Sequence, residues 1–273
     1  MDRRANPQQI IARLAGEGLE FFTLADLEGR LRLPDRKAAY AVVRRLARAG
    51  LIRRIKRGAY AIAPPADWGG GEATSINWYV AAANAVANEP YYLGFYTAME
   101  LHQMLQHPLR TVFVAVTTHH RELAFGPARI RFVKLTPGKL FGQEDRRLDG
   151  HVVEVATLER TLLDCVDRPD LCGGIEEVFR GYVRRCADLD PDRLLRFVAR
   201  LDKPLLTKRL GFMLEAAGYG NPEVLWELER VAGRLKRFEV LDKTRPNAPG
   251  ERSRRWELIL NVDVPRLLRA GRT

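Results

Sequence analysis

Apolar residues recur at helical spacing three times within the first fifty positions, and then the period changes. Ile10, Ile11 and Leu14 mark a helix from Pro7 to Gly18. Leu24, Leu27 and Leu31 mark a second, with Thr23 placed to cap it and Asp26 in its first turn. Leu33-Pro34-Asp35 resets the chain, because Pro34 stops the preceding helix and Asp35 can cap the next. Ala39, Val42, Val43 and Leu46 then form the apolar face of a third helix from Arg36 to Ala49, which Gly50 closes. From Leu51 to Ala63 the pattern is that of a β-hairpin: Ile52 and Ile55 on one arm, Arg57-Gly58 as the turn, Tyr60 and Ile62 on the return. Three helices followed by a small hairpin is the order of a winged helix-turn-helix.

Between Ala63 and Glu72 two prolines and three glycines fall within ten residues, which reads as a linker. Beyond it the sequence predicts helices over Ser75–Val86, Thr97–Gln106, Thr157–Asp167, Gly174–Ala187, Pro191–Leu201 and Pro204–Ala217. Strands are predicted over Tyr91–Phe95, Thr111–Thr117, Ile130–Leu135 and Val152–Val155, with an alternating stretch over Arg255–Val264. The expected class is α+β: a winged helix-turn-helix over residues 1–64, a linker over 65–74 and a mixed α/β C-terminal domain over 75–273. No internal repeat or low-complexity tract is visible.

Charge sharpens this division. The formal net charge is +11. Residues 1–64 hold 14 basic and 6 acidic side chains, a net of +8, against +3 for the much longer remainder. A basic module joined to a near-neutral domain is the electrostatic footprint of a nucleic-acid binder. With Leu46 at the centre of the buried face, Lys37, Ala41, Arg44 and Arg48 lie on the opposite face of the third helix, with Tyr40 beside the stripe and Arg36 and Arg45 flanking it. In a helix-turn-helix the start of this helix reaches base edges. Arg36, Lys37 and Tyr40 are the candidates for that depth, since Arg and Lys can donate to guanine O6 and N7. Arg44, Arg45 and Arg48 lie further along, at phosphate reach. The hairpin carries Arg53, Arg54, Lys56 and Arg57, suited to the backbone or a minor groove. A winged helix also serves as a protein–protein module, and any single Arg here also reads as a solvated surface residue.

Catalytic chemistry is not expected. His119-His120 does not have the i, i+4 spacing of a zinc helix, and Cys165, Cys172 and Cys186 do not form paired metal motifs. Asp188-Leu189-Asp190 lacks the Gly-Ser segment of a nucleotidyl-transfer site and reads as a helix cap. Gly69-Gly70-Gly71 lacks the Lys and Ser/Thr of a phosphate loop. No cofactor and no metal are expected. The start is polar, no apolar stretch would span a bilayer, and the odd number of cysteines suits reduced thiols; the expected location is the cytoplasm.

Several segments, in this order, resemble the AbiEi family of antitoxins from type IV toxin–antitoxin systems linked to abortive phage infection. They are Ile55-Lys56-Arg57-Gly58-Ala59-Tyr60 in the wing, Tyr92 to His102, Val155 to Asp164, Lys208 to Glu215 and Arg255 to Val262. The resemblance spans roughly residues 8–264. It implies an antitoxin that represses its own operon by binding repeats in promoter DNA, with a nucleotidyltransferase-like toxin as partner and with room for oligomerisation on DNA. It implies no catalytic residue. Two alternatives stay open: an antitoxin acting by direct binding to its toxin, and a nucleic-acid-processing enzyme docked through the basic module. Within the resembling segments, Leu158, Thr161, Leu162 and Cys165 read as a core stripe, leaving Glu159, Arg160 and Asp164 to face out or pair locally. Lys208-Arg209 reads as a solvated helix face.

Overall fold

The computed structural model describes residues 6–68, 76–86 and 88–270. By compactness the chain divides into two units. One comprises residues 1–91, 110–135 and 146–153; the other comprises 92–109, 136–145 and 154–273.

The first unit begins with α1 (Pro7–Gly16), β1 (Phe21–Thr23), α2 (Leu24–Arg30), α3 (Arg36–Arg48), β2 (Ile52–Lys56) and β3 (Ala59–Ile62). Its helices start where the sequence supplies caps. The Asn6 side chain accepts from Gln8 N–H at 3.0 Å, and Gln9 returns the bond to the Asn6 amide. Thr23 and Asp26 form the same reciprocal box on α2. Asp35 accepts from Ala38 N–H at 2.7 Å on α3. The apolar faces close on one core that includes Leu14, Phe22, Leu27, Leu31, Ala39, Val43, Leu46 and Tyr60, all buried. Fully burying one such Leu contributes about 1.5–3 kcal/mol. Strand β3 pairs antiparallel with both β2 and β1, so the wing is three-stranded. Strand β1 was not expected; three residues are too few to show a period.

Further elements follow as α4 (Trp78–Ala85), β4 (Tyr91–Leu93), α5 (Phe95–Leu101), β5 (Thr111–Val116), β6 (Leu123–Phe125), β7 (Ala128–Lys134), β8 (Gln143–Leu148), β9 (His151–Ala156), α6 (Leu158–Asp167), α7 (Ile175–Arg185), α8 (Pro191–Leu201), α9 (Pro204–Ala216), α10 (Pro222–Ala232), β10 (Glu239–Val240), β11 (Glu251–Ser253), β12 (Leu258–Leu260) and α11 (Val264–Ala270). The α+β class and the order of a winged helix followed by a sheet-containing region are as the pattern predicts. Of the expected linker, Pro65–Asp67 forms a short 310 turn, with the Trp68 indole N–H donating to Ala63 O at 2.8 Å. Its glycines, and the expected helix start at Ser75, lie outside the described residues.

In the first unit, β5 runs parallel to β7 from Thr111↔Arg129 to Val116↔Lys134, and β6 adds antiparallel to β7. In the second, Leu93 of β4 is paired with Val155 of β9 in parallel. Gly94 ends β4 and caps α5, so that helix begins before the expected Thr97. Strands β6 and β8 were not anticipated, β6 because of its length and β8 because Gln143–Leu148 is polar and half-exposed. Helices α10 and α11 were also not anticipated. The alternation over Arg255–Val264 yields only β12, which pairs with β11 and β10.

Two expectations about α6 and α9 are corrected. Glu159, Arg160 and Asp164 do not face solvent but are all buried, and of the two readings it is local pairing that holds, for Arg160 with Asp164. Arg160 reaches Asp164 at 2.7 Å, the Tyr92 hydroxyl donates to the same carboxylate at 2.8 Å, and the guanidinium lies 4.6 Å from the Phe141 ring centre. Burial, and after it the charge of Asp164, pushes the Tyr92 hydroxyl well above its ordinary range. Glu159 accepts from Asp190 N–H at 2.9 Å. Lys208 and Arg209 are likewise no solvated face. Both are buried, with Lys208 Nζ donating to Glu257 at 2.7 Å and Arg209 Nε donating to Val240 O at 3.0 Å. Helices α6 and α9 have no exposed face, so the polar side chains on them must find partners inside.

Candidate nucleic-acid interface

Helix α3 turns one face inward and one outward. Ala39, Val43 and Leu46 are buried, while Arg36, Lys37, Tyr40, Ala41, Arg44 and Arg48 are exposed. All four cations expected along the outer stripe and its start, Arg36, Lys37, Arg44 and Arg48, are thus exposed together with Tyr40. Arg45 is half-buried at the edge of the stripe. The helix is held from behind. Arg13 of α1 donates to Arg30 O at 2.9 Å, and Glu17 binds both Arg13 and Arg30. Those contacts tie α1 to the end of α2, immediately before the turn that launches α3.

The wing is shaped by one irregularity. The register of β2 on β3 shifts between Arg54 and Lys56. That bulge keeps Ile55 buried and leaves Arg54 exposed. Gly58 closes the hairpin at φ +85°, a conformation that L side chains rarely adopt. Arg57 stands exposed beside it and Lys56 is half-buried. Arg53 differs from its neighbours: its guanidinium donates to Gly50 O at 3.1 Å and Asp67 O at 2.9 Å, bracing the base of the hairpin.

The start of α3 and the tip of the wing meet at a common groove of about 600 Å³, lined by Arg36, Lys56 and Arg57 together with Tyr60. Asn84 and Asn88, at and just beyond the end of α4, line the same groove. Sequence reasoning missed these two. Their only signal was amide side chains at the end of an otherwise apolar helix. The groove places three cations from two separated segments around one cleft; its other walls include the amides of Asn84 and Asn88, the rings of Phe21, Phe22 and Tyr60, and Asp26, whose carboxylate is engaged by Thr23. Such a cleft can hold a phosphodiester backbone while α3 lies in the adjoining groove of a duplex.

The histidines and cysteines lie elsewhere. His120 packs against Glu89 and Thr118, His151 against Glu20 at 2.8 Å, and buried His102 against Ala156 O at 2.7 Å. Cys165, Cys172 and Cys186 are free and buried. Among the described residues, no three His, Cys, Asp or Glu side chains group so as to hold a metal ion. Among them, too, no helix is long and apolar enough to cross a membrane.

Residues 9–63 match the model of a family described as transcriptional regulator, AbiEi antitoxin. The match runs from within α1 to just past the end of β3, so the winged module is similar to that of AbiEi-type transcriptional regulators, as the resemblance read from the sequence implies. No curated protein matches the chain. A crystal structure of the RV2827C protein from Mycobacterium tuberculosis is similar to it over 100% of this chain and 97% of that one, with a TM-score of 0.70 at 18% identity. At that identity the likeness shows a shared fold across both units.

Proposed function

We propose that this chain, whose leading segment matches the AbiEi antitoxin regulators, is an antitoxin and autorepressor that binds promoter DNA of its own toxin–antitoxin operon. Residues 1–64 act as the reading domain, 65–74 as linker and 75–273 as the antitoxin domain. Helix α3 enters the major groove: Arg36, Lys37 and Tyr40 face base edges, while Arg44, Arg45 and Arg48 meet phosphates. Arg54, Lys56 and Arg57 of the wing hold the neighbouring backbone or minor groove, and Arg53 keeps the wing in place. The antitoxin domain counters a nucleotidyltransferase-like toxin, as the family resemblance implies.

The observation that carries this reading is the junction of Arg36 with Lys56 and Arg57 around one groove, continuous with the exposed stripe of α3. Segments about twenty residues apart bring their cations to one edge, where solvated charges would otherwise repel.

The test is retardation of the chain's own promoter fragment across a salt series. Tight binding with a steep loss on raising salt is expected, because each neutralised phosphate adds about 0.9 to the slope of log affinity against log salt. Lys37→Ala, Arg44→Ala and Arg54→Ala together should abolish specific retardation and flatten that slope by about 2–3. Promoter affinity unchanged in the triple variant would sink the reading.

A further inference from the structure

A second positively charged groove lies in the second unit, and nothing in the winged module accounts for it. Its volume is about 520 Å³, within the range of small-molecule sites of about 300–1,000 Å³. One wall is the outer face of α10, where Trp226, Arg230 and Gly233 follow one another at i, i+4 and i+7. The opposite wall is the turn between β11 and β12, which carries Arg254 and Arg255. Lys236, just past α10, completes the rim.

Three features set this groove apart from an ordinary solvated face. Trp226 is 60% exposed, the most exposed large apolar side chain among the described residues, and burying an indole's area would be strongly favourable. Five cations line the groove against two carboxylates. Those carboxylates are already engaged, Glu229 with Arg255 at 2.9 Å and Glu257 with the buried Lys208 at 2.7 Å. Arg230 is held by Glu227 one turn back, at 2.7 Å. Lys236 and Arg254 have no ion-pair partner among the described residues, and both are exposed. The groove therefore offers an exposed aromatic side chain and, elsewhere along its lining, two cations without an ion-pair partner among the described residues.

We propose that this groove binds a nucleotide, with the base stacked on Trp226 and the phosphates held by Lys236 and Arg254. A peptide of acidic side chains alone would satisfy the cations but offer no ring to stack on the indole. A plain anion would do the same. A nucleotide supplies both a π-face and negative charge within one ligand of this size. The chemistry is shared by a free nucleotide and by the end of a single strand.

The experiment uses the full chain carrying the Lys37→Ala, Arg44→Ala and Arg54→Ala substitutions, so that the winged module contributes little and its failure would not resemble this one. Calorimetry and indole fluorescence are followed on titration with ATP, with a hexameric oligoadenylate, with inorganic tripolyphosphate and with oligoglutamate. Saturable binding with quenching is expected for ATP, for the oligonucleotide or for both, and the arm that binds identifies the source. In Trp226→Ala the affinity should fall at least about tenfold, and likewise in Lys236→Glu with Arg254→Glu. All three positions are exposed, so these variants keep the fold, which circular dichroism checks. The proposal is overturned if neither nucleotide binds, if Trp226→Ala binds as well as its parent, or if tripolyphosphate or oligoglutamate binds as tightly as ATP.

Discussion

Gly211 shows how far a single position can depend on its surroundings. It lies inside α9, where replacing Gly by Ala would ordinarily favour the helix by up to about 1 kcal/mol. A Cβ built there would stand 2.1 Å from the ring of Trp256, which is fully buried and whose Nε1 donates to Glu215 at 2.7 Å. A fixed indole cannot yield as a flexible chain would, so overpacking outweighs propensity. Gly211→Ala should destabilise the protein by about 1–3 kcal/mol, measured by denaturant unfolding; a gain in stability would show that the ring moves freely. Arg160 makes the same point from the polar side. A helical wheel places it outward, but α6 is covered all round, and its burial is offset by Asp164, one turn on, and by the Phe141 and Tyr92 rings.

At the scale of the element, α3 works because its two faces obey different demands. The inner face must fill a core shared with α1, α2 and the wing, and Leu46, fully buried, is its centre. The outer face is free to carry charge. Leu46→Ala should cost about 2–5 kcal/mol, because the small core of the winged module has little capacity to collapse around the void. The loss should appear as a lower unfolding midpoint together with weaker promoter retardation, whereas Arg44→Ala should weaken retardation at unchanged midpoint. Equal effects of the two on stability would contradict this division of labour. The wing follows the same logic through a different device: the bulge at Arg54 and Lys56 lets Ile55 stay inside while its neighbour points out.

At the scale of the molecule, pH tests how distant segments are held. Asp167 at the end of α6 meets Lys203 at 3.0 Å and Lys243 at 3.9 Å, two residues far along the chain. Burial pushes the Asp167 carboxyl up, but the Lys203 hydrogen bond and the charges of Lys203 and Lys243 overcome it and hold the carboxyl below its ordinary range. A carboxyl depressed in the folded state contributes stability above its unfolded value, about 3.9, and loses it as pH falls through the folded value. Lys203→Met should therefore lower stability at pH 7, by no more than about 1 kcal/mol because both side chains remain about one-third exposed. The difference from the parent should shrink below about pH 4 and vanish once Asp167 is protonated in both. A difference that grows on acidification would overturn the assignment.

Local signals determined the winged module almost entirely. Caps at Thr23 and Asp35, the break at Pro34, the turn at Arg57-Gly58 and the 3.6-residue period of Leu, Ile and Val are short-range rules, each readable within a few residues. Helix α10 carried similar signals, with Asn221 as cap, Pro222 after it and Val224, Leu225, Leu228 on one face, and so was legible though missed. What tertiary structure alone decided is which polar residues are inside and which cations meet. The burial of Arg160, Asp164 and Lys208, the pairing of three- and two-residue strands, and the convergence of Arg36 with Lys56, Arg57, Asn84 and Asn88 depend on contacts between remote segments. A residue's own neighbours fix its angle on a helix, but only the elements packed against that helix fix whether the angle points to water.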